Sequence, residues 1–159
     1  MKEDKKELIE DFSNYFENVY NFPPLTSKIY SYLLLDCKRE GIPFEEFTEV
    51  FHVSKSSVSN SLNVLTQLKY VENFTKIDER KRYYRLSPGN MLIRLQKIHD
   101  MLQLERKLTE RLKCYKQEHF GKPDDLTIKK STIYLDHLDN AISQLSQTIV
   151  KLKSVSQNQ

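Results

Sequence analysis

The apolar positions of this chain recur mostly at helical spacing, in blocks separated by proline and glycine, with one short interval where the period drops to that of a strand. Leu8, Ile9, Phe12, Phe16 and Val19 share one side of a helix predicted over residues 5–20. Asn21-Phe22-Pro23-Pro24 breaks it, because proline cannot continue a helix and restricts the residue before it. A second helix is predicted over 26–39, with Ile29, Tyr32, Leu33 and Leu35 inward and Gly41 as its left-handed stop. Pro43 stands where a first helical residue would, opening a short third helix, FEEFTEVF, that ends at Phe51 before a turn at His52-Val53.

Residues 54–69, SKSSVSNSLNVLTQLK, form a fourth helix with two unlike faces. Val58, Leu62, Leu65 and Leu68 make an apolar stripe, and Lys55, Ser56, Ser57, Ser59, Asn60, Asn63 and Gln67 make the opposite face. Past Tyr70 the runs become β-branched and aromatic, Val71 to Ile77 and Tyr83 to Leu86, and flank a charged tip at 78–82, the pattern of a small β-hairpin. Pro88 and Gly89 close it. A long helix follows over 90–119, carrying Met91, Leu95, Ile98, Leu102, Leu108, Leu112 and Tyr115, and Gly121 and Pro123 end it. In the last helix, over 126–155, Leu135, Leu138, Ile142, Leu145, Ile149 and Leu152 alternate steps of three and four. Such a 3.5-residue period makes a narrow seam for another helix, and nothing evident in the chain covers it, so two copies are expected to associate there. The expected architecture is mainly α with a small hairpin: a compact unit over 24–89, and helical dimerisation segments at 1–23 and 90–159.

Composition agrees with that picture. With 159 residues, 38% hydrophobic and 30% charged, the chain reads as a soluble globular protein of one ordinary domain with appendages, and three glycines leave little material for tight β-turns. No apolar run approaches the roughly 20 residues that span a bilayer, and MKEDKKELIEDF lacks the apolar stretch of a secretion signal, so a cytoplasmic protein with no membrane partner is expected.

Charge sharpens the reading more than composition does. The chain carries a net +3, yet between His52 and Arg85 seven cations (Lys55, Lys69, Lys76, Arg80, Lys81, Arg82 and Arg85) face only Glu72, Asp78 and Glu79. A cation-rich segment in an otherwise balanced chain is the footprint of a polyanion. Residues 54–69 contain no acid at all, whereas a merely solvated helix face usually mixes Lys with Glu. Phosphate repulsion accounts for that absence. Ser54 is a good N-cap and leaves the positive helix terminus facing outward. Asn60 and Asn63 can make paired hydrogen bonds to adenine, Ser56, Ser57 and Ser59 can meet bases or phosphates, and Lys55 suits phosphate.

Short helix, three-residue turn, capped polar helix and basic hairpin follow one another in the order of a winged helix-turn-helix. The run from Pro24 to Gly89 resembles the DNA-binding domain of the MarR superfamily, most closely its GbsR-like branch. The resemblance lies in GIPFEEFTE, in VSKSSVSNSLNVL, in the paired Tyr83-Tyr84, and in the marks Asp78-x-Arg80 and Leu86-Ser87-x-Gly89. Thr48, His52 and Ser87 depart from the usual residues, and the interval from Arg80 to Leu86 is short. The resemblance implies a bacterial, cytoplasmic homodimer on double-stranded operator DNA, acting as a transcriptional regulator, with repression as the expected mode. It implies a wing whose Arg80, Lys81 or Arg82 enters the minor groove. It also implies that some members bind a small effector between the DNA-binding and dimerisation parts.

Other constellations read more plainly. Phe12, Phe16, Tyr20, Phe22, Tyr30 and Tyr32 can fill a core or line an effector pocket for a choline-like cation, and core packing is the commoner use of aromatics at helical spacing. Cys37 and Cys114 are expected to be buried free thiols rather than a redox pair, and neither they nor His99, His119 and His137 have metal-ligand spacing. No cofactor is expected. No nucleophile elbow, phosphate loop or HExxH stands in the chain, so no enzyme is expected. The rival to a DNA binder is a winged helix that serves as a protein-interaction adaptor with a helical scaffold.

Overall fold

The computed structural model describes residues 3–36, 40–77 and 79–156. They fall into two compact units, Met1–Asn90 and Met91–Gln159. The first contains α1 (Glu3–Tyr20), α2 (Pro24–Leu34), β1 (Ile42–Pro43), α3 (Phe44–Phe51), α4 (Lys55–Gln67), β2 (Val71–Thr75) and β3 (Arg82–Leu86). Two long helices follow, α5 (Asn90–Phe120) and α6 (Asp125–Ser156).

The first unit is built on an aromatic cluster. Phe16 is fully buried, with the rings of Tyr30 at 4.6 Å, Tyr15 at 5.2 Å, Tyr20 at 5.6 Å, Phe12 at 6.1 Å and Phe22 at 6.3 Å, and Tyr30 in turn meets Tyr70 at 5.4 Å. Of the six aromatics at helical spacing, Phe16, Tyr30 and Tyr32 are buried in the core, and Phe12, Tyr20 and Phe22 are half-buried at its edge. Tyr32 leaves the cluster and packs edge-on against Phe47 and Phe51, with the Lys5 ammonium 4.5 Å from its ring centre. Buried serines let α1 and α2 approach closely: Ser13 donates to the Ile9 carbonyl at 2.6 Å and Ser31 to the Ser27 carbonyl at 2.8 Å, each bonding back one turn along its own helix. Ile9 and Phe16 turn inward as expected, but Leu8 and Val19 are exposed.

Several boundaries differ from the sequence reading, each for a local reason. Pro24 begins α2 instead of breaking the chain before it, because a missing N–H is harmless in a first turn. The helix ends at Leu34 with Leu35 as its C-cap, short of the expected end at residue 39, and Cys37, expected to be a buried thiol, lies outside the described residues with Lys38 and Arg39. Gly41 does have a left-handed φ of +79°, yet it leads into β1 rather than capping α2. Pro43 is the extended N-cap of α3, not its first residue. Ile42 and Pro43 pair antiparallel with Tyr84 and Tyr83, so the expected hairpin is a three-stranded sheet of order β1-β3-β2. A two-residue strand has too few positions to announce a period.

In the second unit, α5 and α6 run antiparallel and are tied at three levels. His99 shares a 2.9 Å hydrogen bond with Ser146, Arg106 grips Asp139 with two (2.6 and 3.3 Å), and the Tyr134 hydroxyl donates to Glu105. Asp124 caps α6 by accepting from the Thr127 N–H at 2.9 Å. Tyr134, Asp139 and Ser146 flank the heptad seam, which turns the seam toward α5 of the same chain. Leu135, Leu138 and Ile149 are buried there, and Ile142, Leu145 and Leu152 are half-buried. The premise that nothing in the chain covers this seam therefore does not hold. Conversely, Met91, Leu108, Leu112 and Tyr115, expected in a packed stripe, are exposed, and so is the Cys114 thiol, contrary to the burial that its sequence context predicts.

A Cβ at Gly41 would lie 2.7 Å from the Phe74 ring and 3.2 Å from Tyr83 Cβ. Gly41→Ala, strained at a positive φ and displacing that ring, is expected to cost about 1–3 kcal/mol. The readout is a lower urea midpoint with an unchanged m-value.

Candidate nucleic-acid interface

Helix α4 owes its orientation to its apolar side. Val58, Leu62 and Leu65 are buried against α2, α3 and β2, and Ser61 is buried beside them. Leu68 is only half-buried, because the helix stops one residue earlier than its stripe suggests. The stop is a Schellman motif: the Lys69 N–H donates to the Thr66 carbonyl and the Tyr70 N–H to the Leu65 carbonyl, both at 3.0 Å, with Lys69 left-handed at φ 61°. Lysine occupies the place usually held by glycine, which hid this boundary from sequence reading. His52, left-handed at φ 53°, does the same at the end of α3.

With that face buried, the opposite face is directed to solvent. Ser54, Lys55, Ser56, Asn60, Asn63 and Gln67 are exposed, and Ser57 and Ser59 are half-buried along its edge. Ser54 is the N-cap: its hydroxyl accepts from the Ser57 N–H at 3.2 Å and lies 2.9 and 2.8 Å from the hydroxyls of Ser56 and Ser57. The N-terminus of α4 thus presents hydroxyls, one ammonium and the positive end of a helix dipole, without a carboxylate. Helix α3 differs, with Glu45 and Glu49 exposed. Its third acid, Glu46, accepts a 2.6 Å hydrogen bond from the Tyr32 hydroxyl, whose ionisation is pushed up first by burial and then by this bond.

The β2–β3 hairpin sorts its charges in a similar way. Glu72 faces Arg85 across the strands and the two form a 2.6 Å ion pair. Arg85 also lies 4.7 Å from the Phe74 ring, Phe74 stacks on Tyr83 at 5.8 Å, and the Lys76 ammonium sits 4.2 Å from the Tyr83 ring. The Tyr83 hydroxyl donates to Glu79, and that bond holds its ionisation above the ordinary tyrosine range. Acids, aromatics and two cations are thereby engaged with one another, while Arg80, Lys81 and Arg82 project as exposed cations. Sequence reading did not single out Asn73 and Thr75, which are exposed on β2; the alternation of that strand carried the signal. Asp78, part of the Asp78-x-Arg80 mark, lies outside the described residues.

Among the described residues, no group of three His, Cys, Asp or Glu side chains can hold a metal ion, and no helix is long and apolar enough to cross a membrane.

A solved structure described as a transcriptional regulator superposes on 95% of this chain and 99% of its own length, with a TM-score of 0.65 and 18% sequence identity. The fold is a winged helix with long helical extensions. At that identity the likeness extends to fold alone. A MepR mutant from a multidrug-resistant S. aureus clinical isolate superposes with a TM-score of 0.44 at 13% identity, covering 87% of this chain and 91% of that one. A MarR/EmrR family transcriptional regulator from Acinetobacter sp. ADP1 gives 0.41 at 18% identity, covering 87% and 89%. No protein-family profile and no curated protein matches the sequence. In winged-helix terms, α3 and α4 are the helix-turn-helix and the β2–β3 hairpin is the wing.

Ser54→Ala removes the oxygen that accepts the Ser57 N–H and is expected to destabilise the chain by about 1 kcal/mol. Thermal unfolding of the two proteins side by side measures it.

Proposed function

We propose that this chain is a sequence-specific regulator of transcription that binds double-stranded DNA as a homodimer, a member of the MarR superfamily in its GbsR-like branch. The observation that carries the reading is the outward face of α4: hydroxyls, amides and a lysine on a helix anchored by its other side, with no acid among them. That helix enters the major groove by its N-terminal half. Asn60 and Asn63 read base edges, Ser56, Ser57 and Ser59 contact bases or phosphates, and Ser54 and Lys55 hold phosphate. Arg80, Lys81 and Arg82 of the wing reach the minor groove or the adjacent backbone. The fold shared with a protein described as a transcriptional regulator supports the reading, and repression by occupying an operator is the mode the resemblance implies.

A two-fold pair would set two such helices about 34 Å apart on a pseudo-palindrome. Because the α6 seam of Leu135, Leu138, Ile142, Leu145, Ile149 and Leu152 is directed toward α5 of its own chain, the pairing uses other surfaces. Met101, Leu104, Leu108, Leu112 and Tyr115 form an exposed stripe on α5, with Lys107, Arg111 and Lys116 beside it. Leu8, Tyr15 and Val19 form a second stripe on α1, with Asp4, Glu7 and Asp11 alongside. Apolar surface so extended is rarely left to water, and the opposite charges let α1 of one copy meet α5 of the other. An effector enters this reading only as an expectation of the resemblance.

Reversing both wing arginines, Arg80→Glu with Arg82→Glu, should weaken binding to all duplexes and reduce the log-log salt slope by about 0.9 for each phosphate no longer neutralised. Asn60→Ala should lower preference between sequences by about 1–3 kcal/mol while leaving random duplex unaffected. Fluorescence anisotropy across a salt series reads both, and a wild-type affinity for duplex DNA that ignores salt would instead favour the protein-adaptor reading. Leu108→Asp with Leu112→Asp is expected to give monomers in sedimentation and, by losing bivalency, at least about 100-fold weaker operator binding.

A further inference from the structure

We propose that Ile77 is an apolar probe of the DNA minor groove, inserted by the wing between its cations; this rests on the DNA-binding reading above. Ile77 is 103% exposed, more than any other large apolar side chain among the described residues. It occupies the second position of a turn closed by the Glu79 N–H on the Lys76 carbonyl at 3.1 Å, which projects it from the end of the hairpin. Local structure gives no reason for isoleucine there: turns favour Gly, Pro, Asn, Asp and Ser, and a β-branched chain gains nothing from full hydration. Its surroundings supply a partner of definite chemistry. In sequence it is followed by Asp78, which lies outside the described residues, by Glu79, turned back onto the Tyr83 hydroxyl, and then by Arg80, Lys81 and Arg82 as exposed cations.

A polyanion with an apolar recess answers this combination. The minor groove is lined by the hydrophobic edges of deoxyribose rings, walled by phosphates, and about 6 Å wide, which admits one branched aliphatic side chain. Cations would hold the two walls while the isoleucine lies against the sugars, and apolar side chains used in this way are a recurrent device of minor-groove proteins. The arrangement also assigns a specificity. The exocyclic 2-amino group of guanine projects into this groove and obstructs an aliphatic chain, so Ile77 should favour segments that lack it.

Alternating dI-dC and dG-dC duplexes test this directly, because they share the major-groove pattern and differ only in that amino group. Full-length wild-type protein is expected to bind the inosine duplex about fivefold more tightly, equivalent to ~1 kcal/mol. Ile77→Ser should abolish the difference and leave the salt slope unchanged, since an uncharged side chain neutralises no phosphate. Arg82→Gln should keep the difference and lower the slope by about 0.9. Equal binding of the two duplexes by the wild type, or a difference that survives Ile77→Ser, overturns the proposal while a steep salt slope leaves the DNA-binding reading standing. Absence of duplex binding at any salt removes both. A thermal midpoint for Ile77→Ser equal to wild type, expected for a fully exposed site, shows that the variant is folded.

Discussion

Burial of Val58, Leu62 and Leu65 is the constraint on which the rest of the first unit turns. A helix has one rotational freedom about its axis, and three apolar side chains locked against α2, α3 and β2 remove it. Rotation by one residue, about 100°, would bring a serine or asparagine into the apolar interior and expose a leucine. The polar face is therefore held outward by what happens on the far side of the helix. The caps act in the same direction: Ser54 fixes where α4 begins and the Schellman turn at Lys69 where it stops, so the exposed side chains are set in position along the axis as well as around it.

The wing follows a second rule, in which its charges are divided by pairing. Glu72 neutralises Arg85, Glu79 accepts from Tyr83, and the Phe74 and Tyr83 rings carry Arg85 and Lys76 on their faces. Cation–aromatic contact and cross-strand pairing stabilise a hairpin that has little core of its own. What remains unpaired in such an arrangement is available to something outside it. Among the described residues of the wing, Arg80, Lys81 and Arg82 remain, and Ile77 stands beside them.

The second unit shows that a regular pattern marks a contact face without naming what fills it. A faultless heptad seam identifies a helix that must meet another helix, and it does not identify whose. Here α5 runs antiparallel beside it, tied by Arg106 to Asp139 and by His99 to Ser146, and the seam faces inward. The less regular stripe from Met101 to Tyr115 is the one left exposed. Surface available to a second copy is therefore better judged from what the chain itself covers than from the strength of the repeat.

The amino-acid order alone determined the helices with strong period, the FEEFTEVF helix and its end at Phe51, the two-faced α4 with its Ser54 cap, the hairpin and its cationic tip, because each rests on spacing within a dozen residues. It did not determine β1, whose two residues become a strand only by pairing with Tyr83 and Tyr84, about 40 positions away along the chain. Nor did it determine which apolar stripes face the interior, since Leu8 and Leu108 have the same chemistry as Leu62 and differ only in what folds over them. Left-handed His52 and Lys69 belong to the same class: their backbone is imposed by the packing on either side, against the preference of the residue. Local periodicity wrote the faces of the helices, and long-range packing chose which of those faces are left for a partner.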